Sequence, residues 1–225
     1  MDISIETYSD SVPKYHEGLC DDQIRIVRDD SGVAAILADG RNGGARASLL
    51  TSFAAKMMVA MRGSGASIDR VADMIAESQP SGGKKGKAGN IAFTLILALF
   101  DGTIRVEQFE TPDVILLRRG RPVELQTTQR AVQGRTIRSG RITAKKADMI
   151  VAVGNGMLTA GKNRKLKDGW NLKNIETYMA NAYDSRMSAE DPVRLLLAAG
   201  SSLSSGKPAS DLSALAFRIS CLRVP

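Results

Sequence analysis

The sequence predicts an α+β domain: an antiparallel β-sandwich flanked by helices on both outer faces, in α-β-β-α layers. Three observations lead there. Short apolar runs are joined by turns too tight to hold crossover helices, so neighbouring strands run antiparallel. Two stretches of helical periodicity follow the first strands, and two more precede the last one. With 43% apolar residues over 225 positions, the chain can bury the core of one domain spanning residues 1–225.

In chain order, the start is polar. Ile24 to Val27 and Val33 to Ala38 then form a hairpin around Asp29-Asp30-Ser31-Gly32, whose Asp and Gly suit a turn. The second strand delivers Asp39 to a turn, Gly40-Arg41-Asn42-Gly43-Gly44, after which Ala47, Leu50, Ala54, Met57 and Met61 recur on one helical face. Met57, Met58 and Met61 read as core filler. A second helix starts at Ser67 as N-cap, with Ile68, Val71, Ala72 and Ile75 as its stripe, and ends before Pro80. Residues 80–89 are basic and Gly-rich without a stripe, which predicts a flexible surface loop. Ile91 to Phe100 and Thr103 to Phe109 form a hairpin about Asp101-Gly102, and Val114 to Leu117 and Val123 to Leu125 form another about Arg119-Gly120-Arg121. Met149 to Val153 is a buried strand entering Gly154-Asn155-Gly156. Leu172, Ile175, Tyr178, Met179 and Ala182 share a helical stripe with Trp170 as an anchor at its mouth. Pro192 sits in the first turn of a last helix carrying Val193, Leu196, Leu197 and Ala199, and Gly200 weakens its later part. Ala214 to Ile219 is the final strand.

Charge and cysteines narrow the function classes. Lys and Arg number 31 against 24 Asp and Glu, a net +7 that attracts anionic partners weakly. The cations are spread, and the one dense run, Lys162, Arg164, Lys165 and Lys167, lacks the interleaved aromatics that stack on bases, so no nucleic-acid role is expected. Cys20 and Cys221 with a single histidine, His16, fall short of the four ligands of a structural zinc site. His16 reads as a surface or cap residue. No signal-like start and no span of about 20 apolar residues is present, so the expected address is the cytoplasm, with no membrane partner. Gly156-Met157-Leu158-Thr159-Ala160-Gly161-Lys162-Asn163 nearly fits a nucleotide-binding P-loop, but Asn163 stands where the pattern needs a Ser or Thr hydroxyl.

Four loops at strand ends carry small or acidic residues: Cys20-Asp21-Asp22, Asp39-Gly40, Gly154-Asn155-Gly156 and Ala209-Ser210-Asp211. Their order, with Phe109-Glu110-Thr111-Pro112, Gly169-Trp170-Asn171 and Ser210-Asp211-Leu212-Ser213-Ala214, resembles the SpoIIE-type branch of the metal-dependent (PPM) protein serine/threonine phosphatases. The pieces also look similar to the small SpoIIE-like proteins found alongside iron hydrogenase components. The resemblance runs from about Tyr15 to Ile219. It implies two Mn²⁺ or Mg²⁺ ions, with Asp39 bridging them, the Gly40 carbonyl assisting, and Asp22 holding the first ion directly or through water. It further implies a phosphorylated protein as substrate, such as a small STAS-domain regulator, and a monomer or homodimer.

Such a centre needs carboxylate oxygens, because hard divalent cations require anionic oxygen to offset their dehydration. A pair of ions can turn a bound water into a nucleophile and neutralise phosphoryl oxygens. Two departures from the family pattern stand out. Asn155 occupies the place of the aspartate in Ser-Asp-Gly, and Ser210 that of the first aspartate in Asp-Asp. At roughly 2 kcal/mol each, by analogy with ionic hydrogen bonds, the two losses cost about a thousandfold in affinity for the second ion. Asp211 is one position along, but on an extended strand its side chain faces the other way. Arg41 supplies a guanidinium at the site, to bind phosphate or to fill the space of an absent ion. The readings are thus a weak Mn²⁺- or Mg²⁺-dependent phosphatase, or an inactive pseudophosphatase that binds a protein partner in a signalling role.

Overall fold

The computed structural model describes residues 3–40, 44–63, 67–79 and 91–221. Arg41 and the basic loop at 80–89 lie outside the described residues, as do the side chains of Met58 and Met61.

Alternation of side chains organises the two sheets. In β3 (Gly32–Ala38) every residue is buried, because Val33, Ala35 and Leu37 face one way and Ala34, Ile36 and Ala38 the other. Its neighbours are β2 (Gln23–Asp29) and β4 (Phe93–Leu99), followed by β5 (Thr103–Phe109), β9 (Arg135–Thr143) and β8 (Thr127–Val132), giving a six-stranded sheet in the order β2-β3-β4-β5-β9-β8. The second sheet has the order β1-β11-β10-β6-β7, from β1 (Ile3–Val12), β6 (Ile115–Arg118), β7 (Arg121–Val123), β10 (Asp148–Val153) and β11 (Leu212–Cys221). All pairings between these strands are antiparallel, as the short turns require for the β2–β3, β4–β5, β6–β7 and β8–β9 hairpins.

Three apolar layers hold the fold. The inner one joins the sheets: Leu37, Ile96 and Val106 meet Ile150, Leu215 and Phe217. Outside the six-stranded sheet, α1 (Gly44–Gly63) and α2 (Ile68–Glu77) cover Ile36, Phe93 and Leu95 with Ala47, Ala54, Val71 and Ile75. Outside the five-stranded sheet, α4 (Leu172–Ala182) and α5 (Glu190–Leu203) cover Met149, Val151 and Ala216 with Ile175, Met179, Val193 and Leu196. The predicted α-β-β-α layering is therefore the observed one. Trp170 packs edge-on against Tyr178 with ring centroids 5.3 Å apart, which pins the start of α4.

Several local expectations need correction. The polar start is a ten-residue strand, β1; only Ile3 and Ile5 are buried, so its apolar signal is short, and it is held as an edge strand by its ladder with β11. β8 and most of β9 also escaped the apolar pattern, since the first three residues of β8 are exposed; the hairpin is pinned by Arg130, which reaches Glu107, Asp73 and the Asp69 carbonyl. The hairpin after Arg119 is β6–β7, with β7 ending at Val123 rather than starting there. Gly154-Asn155-Gly156, expected as a loop, opens a short helix, α3 (Asn155–Thr159). Gly200 does not loosen α5. It is buried at the point where the helix meets β11, and a Cβ there would come within 3.2 Å of Leu212 Cδ1.

Candidate active site

Four strand ends from both sheets meet at one rim of the sandwich. Asp22 precedes β2 and Asp39 follows β3, and since Gln23 pairs with Ala38 the two carboxylates enter side by side. Gly154 follows β10 and Asp211 precedes β11, with the Gly154 N–H donating to the Ser213 carbonyl at 2.9 Å. The rim thereby gathers the predicted Asp22, Asp39, Gly40, Asn155, Ser210 and Asp211 from positions far apart in sequence. A cavity of about 380 Å³ lies between them, lined by Asp21, Asp22, Asp39, Ser210 and Asp211 together with Lys14.

Close backbone packing shapes this rim. A Cβ on Gly40 would stand 1.9 Å from the Asp21 carbonyl oxygen, and one on Gly156 would stand 1.8 Å from that of Asp211. Both glycines are needed because backbone occupies the side-chain position.

The acidic residues have different employment. Asp211 is 8% exposed and accepts three backbone N–H groups: Lys14 at 2.7 Å on Oδ1, and Asp21 at 2.6 Å and Asp22 at 3.0 Å on Oδ2. It clamps the loop before β2 onto β11. Asp22 accepts the Gly40 N–H at 3.1 Å on Oδ1 and the Ser213 hydroxyl on Oδ2. Ser213 was not foreseen as part of the rim; its signal is the period of two that turns it away from Leu212 and Ala214, which pack under the helices. Burial pushes the Asp22 carboxyl up from its usual 3.8 to about 7, with Asp39 adding repulsion and the Ser213 and Gly40 hydrogen bonds opposing the rise. The neighbouring Cys20 thiol is pushed up to about 12, by burial first and then by Asp211 and Asp22, so it is no thiolate nucleophile near neutral pH.

On the facing wall, Asn155 Nδ2 donates to Asp39 Oδ2 at 2.9 Å and to the Glu110 carbonyl at 3.1 Å. Both partners are acceptors, so the amide must present its N–H₂ here. Glu110 offers that carbonyl from a left-handed backbone, φ 53°. Beneath it, Thr94 and Thr111 share a hydroxyl hydrogen bond at 2.7 Å and Gln108 Nε2 reaches the Pro112 carbonyl at 2.5 Å, a buried polar brace that fixes the Phe109-Glu110-Thr111-Pro112 turn.

The donor set answers which cations the rim suits. Asp22 and Asp39 are two buried carboxylates of like charge on one cavity, and each carboxylate oxygen has more than one lone pair, the kind of donor that a hard divalent ion takes. Against a second ion, Asn155 turns N–H rather than oxygen toward Asp39, and Asp211 already accepts three backbone amides. Among the described residues no group of three or more His, Cys, Asp or Glu forms a metal cluster.

This architecture recurs among solved structures. The phosphatase domain of the cell fate determinant SpoIIE from Bacillus subtilis superposes with a TM-score of 0.75 at 14% identity, over 99% of this chain and 95% of that one. The fold is that of the PPM phosphatases. RsbX, solved in complex with magnesium, matches with a TM-score of 0.65 at 12% identity over 96% of both chains. The SiaA PP2C domain of Pseudomonas aeruginosa matches with 0.68 at 16% identity, over 93% of this chain and 85% of that one. No family model and no curated protein matches the sequence. At these identities the likeness to PPM phosphatases extends to the fold alone.

Proposed function

We propose that the chain is a SpoIIE-type protein serine/threonine phosphatase domain with a one-ion centre, acting slowly on phosphoserine or phosphothreonine of a regulatory protein. The observation that carries this reading is the pairing of Asp22 and Asp39 on one cavity at the rim of a PPM-type sandwich. Without a cation, that cavity would repel a phosphate, since Glu17, Asp21, Asp22, Asp39 and Asp211 line it and Lys14 is the one basic side chain among its described lining residues. Asp22, Asp39 and the Gly40 carbonyl would hold Mn²⁺ or Mg²⁺, which when bound supplies an activated water and offsets phosphoryl charge. The chain's own residues set the rest: the Gly40 amide and Ser213 hydroxyl orient Asp22, and Asn155 orients Asp39. Arg41 follows this turn in sequence and is assigned the phosphate-binding role. A STAS-domain regulator is the proposed substrate class and the cytoplasm the proposed setting; a link to iron hydrogenase components rests on sequence resemblance alone.

One observation favours a second reading. The Asn155 to Asp39 hydrogen bond puts amide protons against the carboxylate that a two-ion centre would share, which suits an inactive, partner-binding module. Hydrolysis of a generic aryl phosphate with Mn²⁺ separates the two. Activity lost in Asp39→Ala supports the phosphatase. A chain inert with Mn²⁺ that gains activity in Asn155→Asp with Ser210→Asp supports the binding module.

A further inference from the structure

Four cations, Lys162, Arg164, Lys165 and Lys167, crowd into six residues after α3. A solvated run of this kind repels itself and spreads. Here it is folded tightly instead. The Arg164 and Leu166 amides both donate to the Gly161 carbonyl at 3.0 Å, Lys162 bridges Leu166, and Gly161 and Asn163 take left-handed backbone at φ 73° and 57°. Two of the cations are spent on the end of α5. Arg164 donates to the Ser204 carbonyl and Lys165 to that of Ser202, each at 2.7 Å, where helix carbonyls carry partial negative charge.

The other two are not consumed, and Lys207, from the loop before β11, joins them. Lys162, Lys167 and Lys207 are exposed and make no ion pair among the described residues. Lys207 is steadied over the Tyr15 ring, 5.1 Å from its centroid. Lys162, Arg164 and Lys207 line a second cavity of about 230 Å³, and Ala209 and Ser210 belong to the walls of both this cavity and the acidic one. A preformed basic ledge therefore adjoins the proposed phosphatase site.

We propose that this ledge binds an acidic stretch of the partner protein, Asp- or Glu-rich residues flanking the phosphorylated one. Only the choice of partner rests on the phosphatase reading; the electrostatics of the ledge do not. Charge complementarity at such a rim selects partners and steers encounter. A protein is favoured over single-stranded nucleic acid because Trp170, the aromatic nearest in sequence to the run, is buried, and the Tyr15 ring at the ledge is already engaged by Lys207 at 5.1 Å and by His16 at 3.8 Å.

The test uses the full chain, without metal, and two labelled probes: a short oligoglutamate peptide and its oligoglutamine counterpart. Fluorescence anisotropy should show at least about tenfold tighter binding of oligoglutamate, lost on raising salt from about 0.15 M to about 1 M. Lys162→Glu with Lys207→Glu should weaken it about tenfold while thermal unfolding stays unchanged. Equal binding of the two peptides, or full binding by the double variant, would overturn the proposal. So would an oligonucleotide that binds more tightly than oligoglutamate and is lost in the same variant. Phosphatase activity toward the aryl phosphate is read separately, so its failure and the failure of the ledge are distinct results.

Discussion

The two walls of the acidic cavity are both built at strand ends and carry different chemistry. On the β2–β3 side, Asp22 and Asp39 are both buried carboxylates on the cavity. On the β10–β11 side the corresponding strand ends offer Asn155 and Ser210, while the one carboxylate, Asp211, is turned to three backbone amides. One rim thus places cavity-facing carboxylates on one wall and neutral side chains on the other. The glycines explain how: Gly40 and Gly156 are fixed by backbone contacts under 2 Å from any added Cβ, and that packing is indifferent to which side chain faces the cavity.

The largest effect should come from making the walls alike. Asn155→Asp with Ser210→Asp is expected to raise affinity for a second Mn²⁺ about a thousandfold, at roughly 2 kcal/mol per carboxylate, measured by calorimetric titration. If the double variant binds no more metal than the natural chain, the neutral wall is not what limits the site. Next in size, Gly40→Ala drives a Cβ into the Asp21 carbonyl and should destabilise the fold by about 3 kcal/mol, read by denaturant unfolding. Asp211→Asn should cost about 2 kcal/mol, because an amide cannot accept from Lys14, Asp21 and Asp22 together; an unchanged midpoint would mean that the clamp is dispensable.

How far the sequence carried the reading follows the same division. The inner strands β3, β4, β10 and β11 were legible because burial on both faces leaves continuous apolar runs. β1 and β8 were not, because edge strands are held mainly by their ladders, with few buried apolar side chains to announce them. At the rim, Asp22, Asp39, Asn155 and Ser210 could be placed from loop order. The roles of Ser213 and of the Glu110 carbonyl could not, since a hydroxyl and a main-chain oxygen become meaningful only once two sheets bring them to Asp22 and Asn155.

The smallest effect concerns pH and isolates the carboxylate wall. Asp22 holds its proton more tightly folded, at about 7 against a usual 3.8. Its stabilising contribution is therefore full below pH 3.8 and lost as pH rises through about 7. Metal-free protein should lose stability steadily over this range, at up to about 1.36 kcal/mol per pH unit. Asp22→Asn should flatten that slope, as followed by urea unfolding across pH; a slope unaltered by the substitution would place the titration elsewhere.

The most direct measurement is the Mn²⁺ stoichiometry of the natural chain by calorimetry. Unequal walls predict a single ion per chain, abolished by Asp39→Ala. Two ions bound with comparable affinity would contradict it.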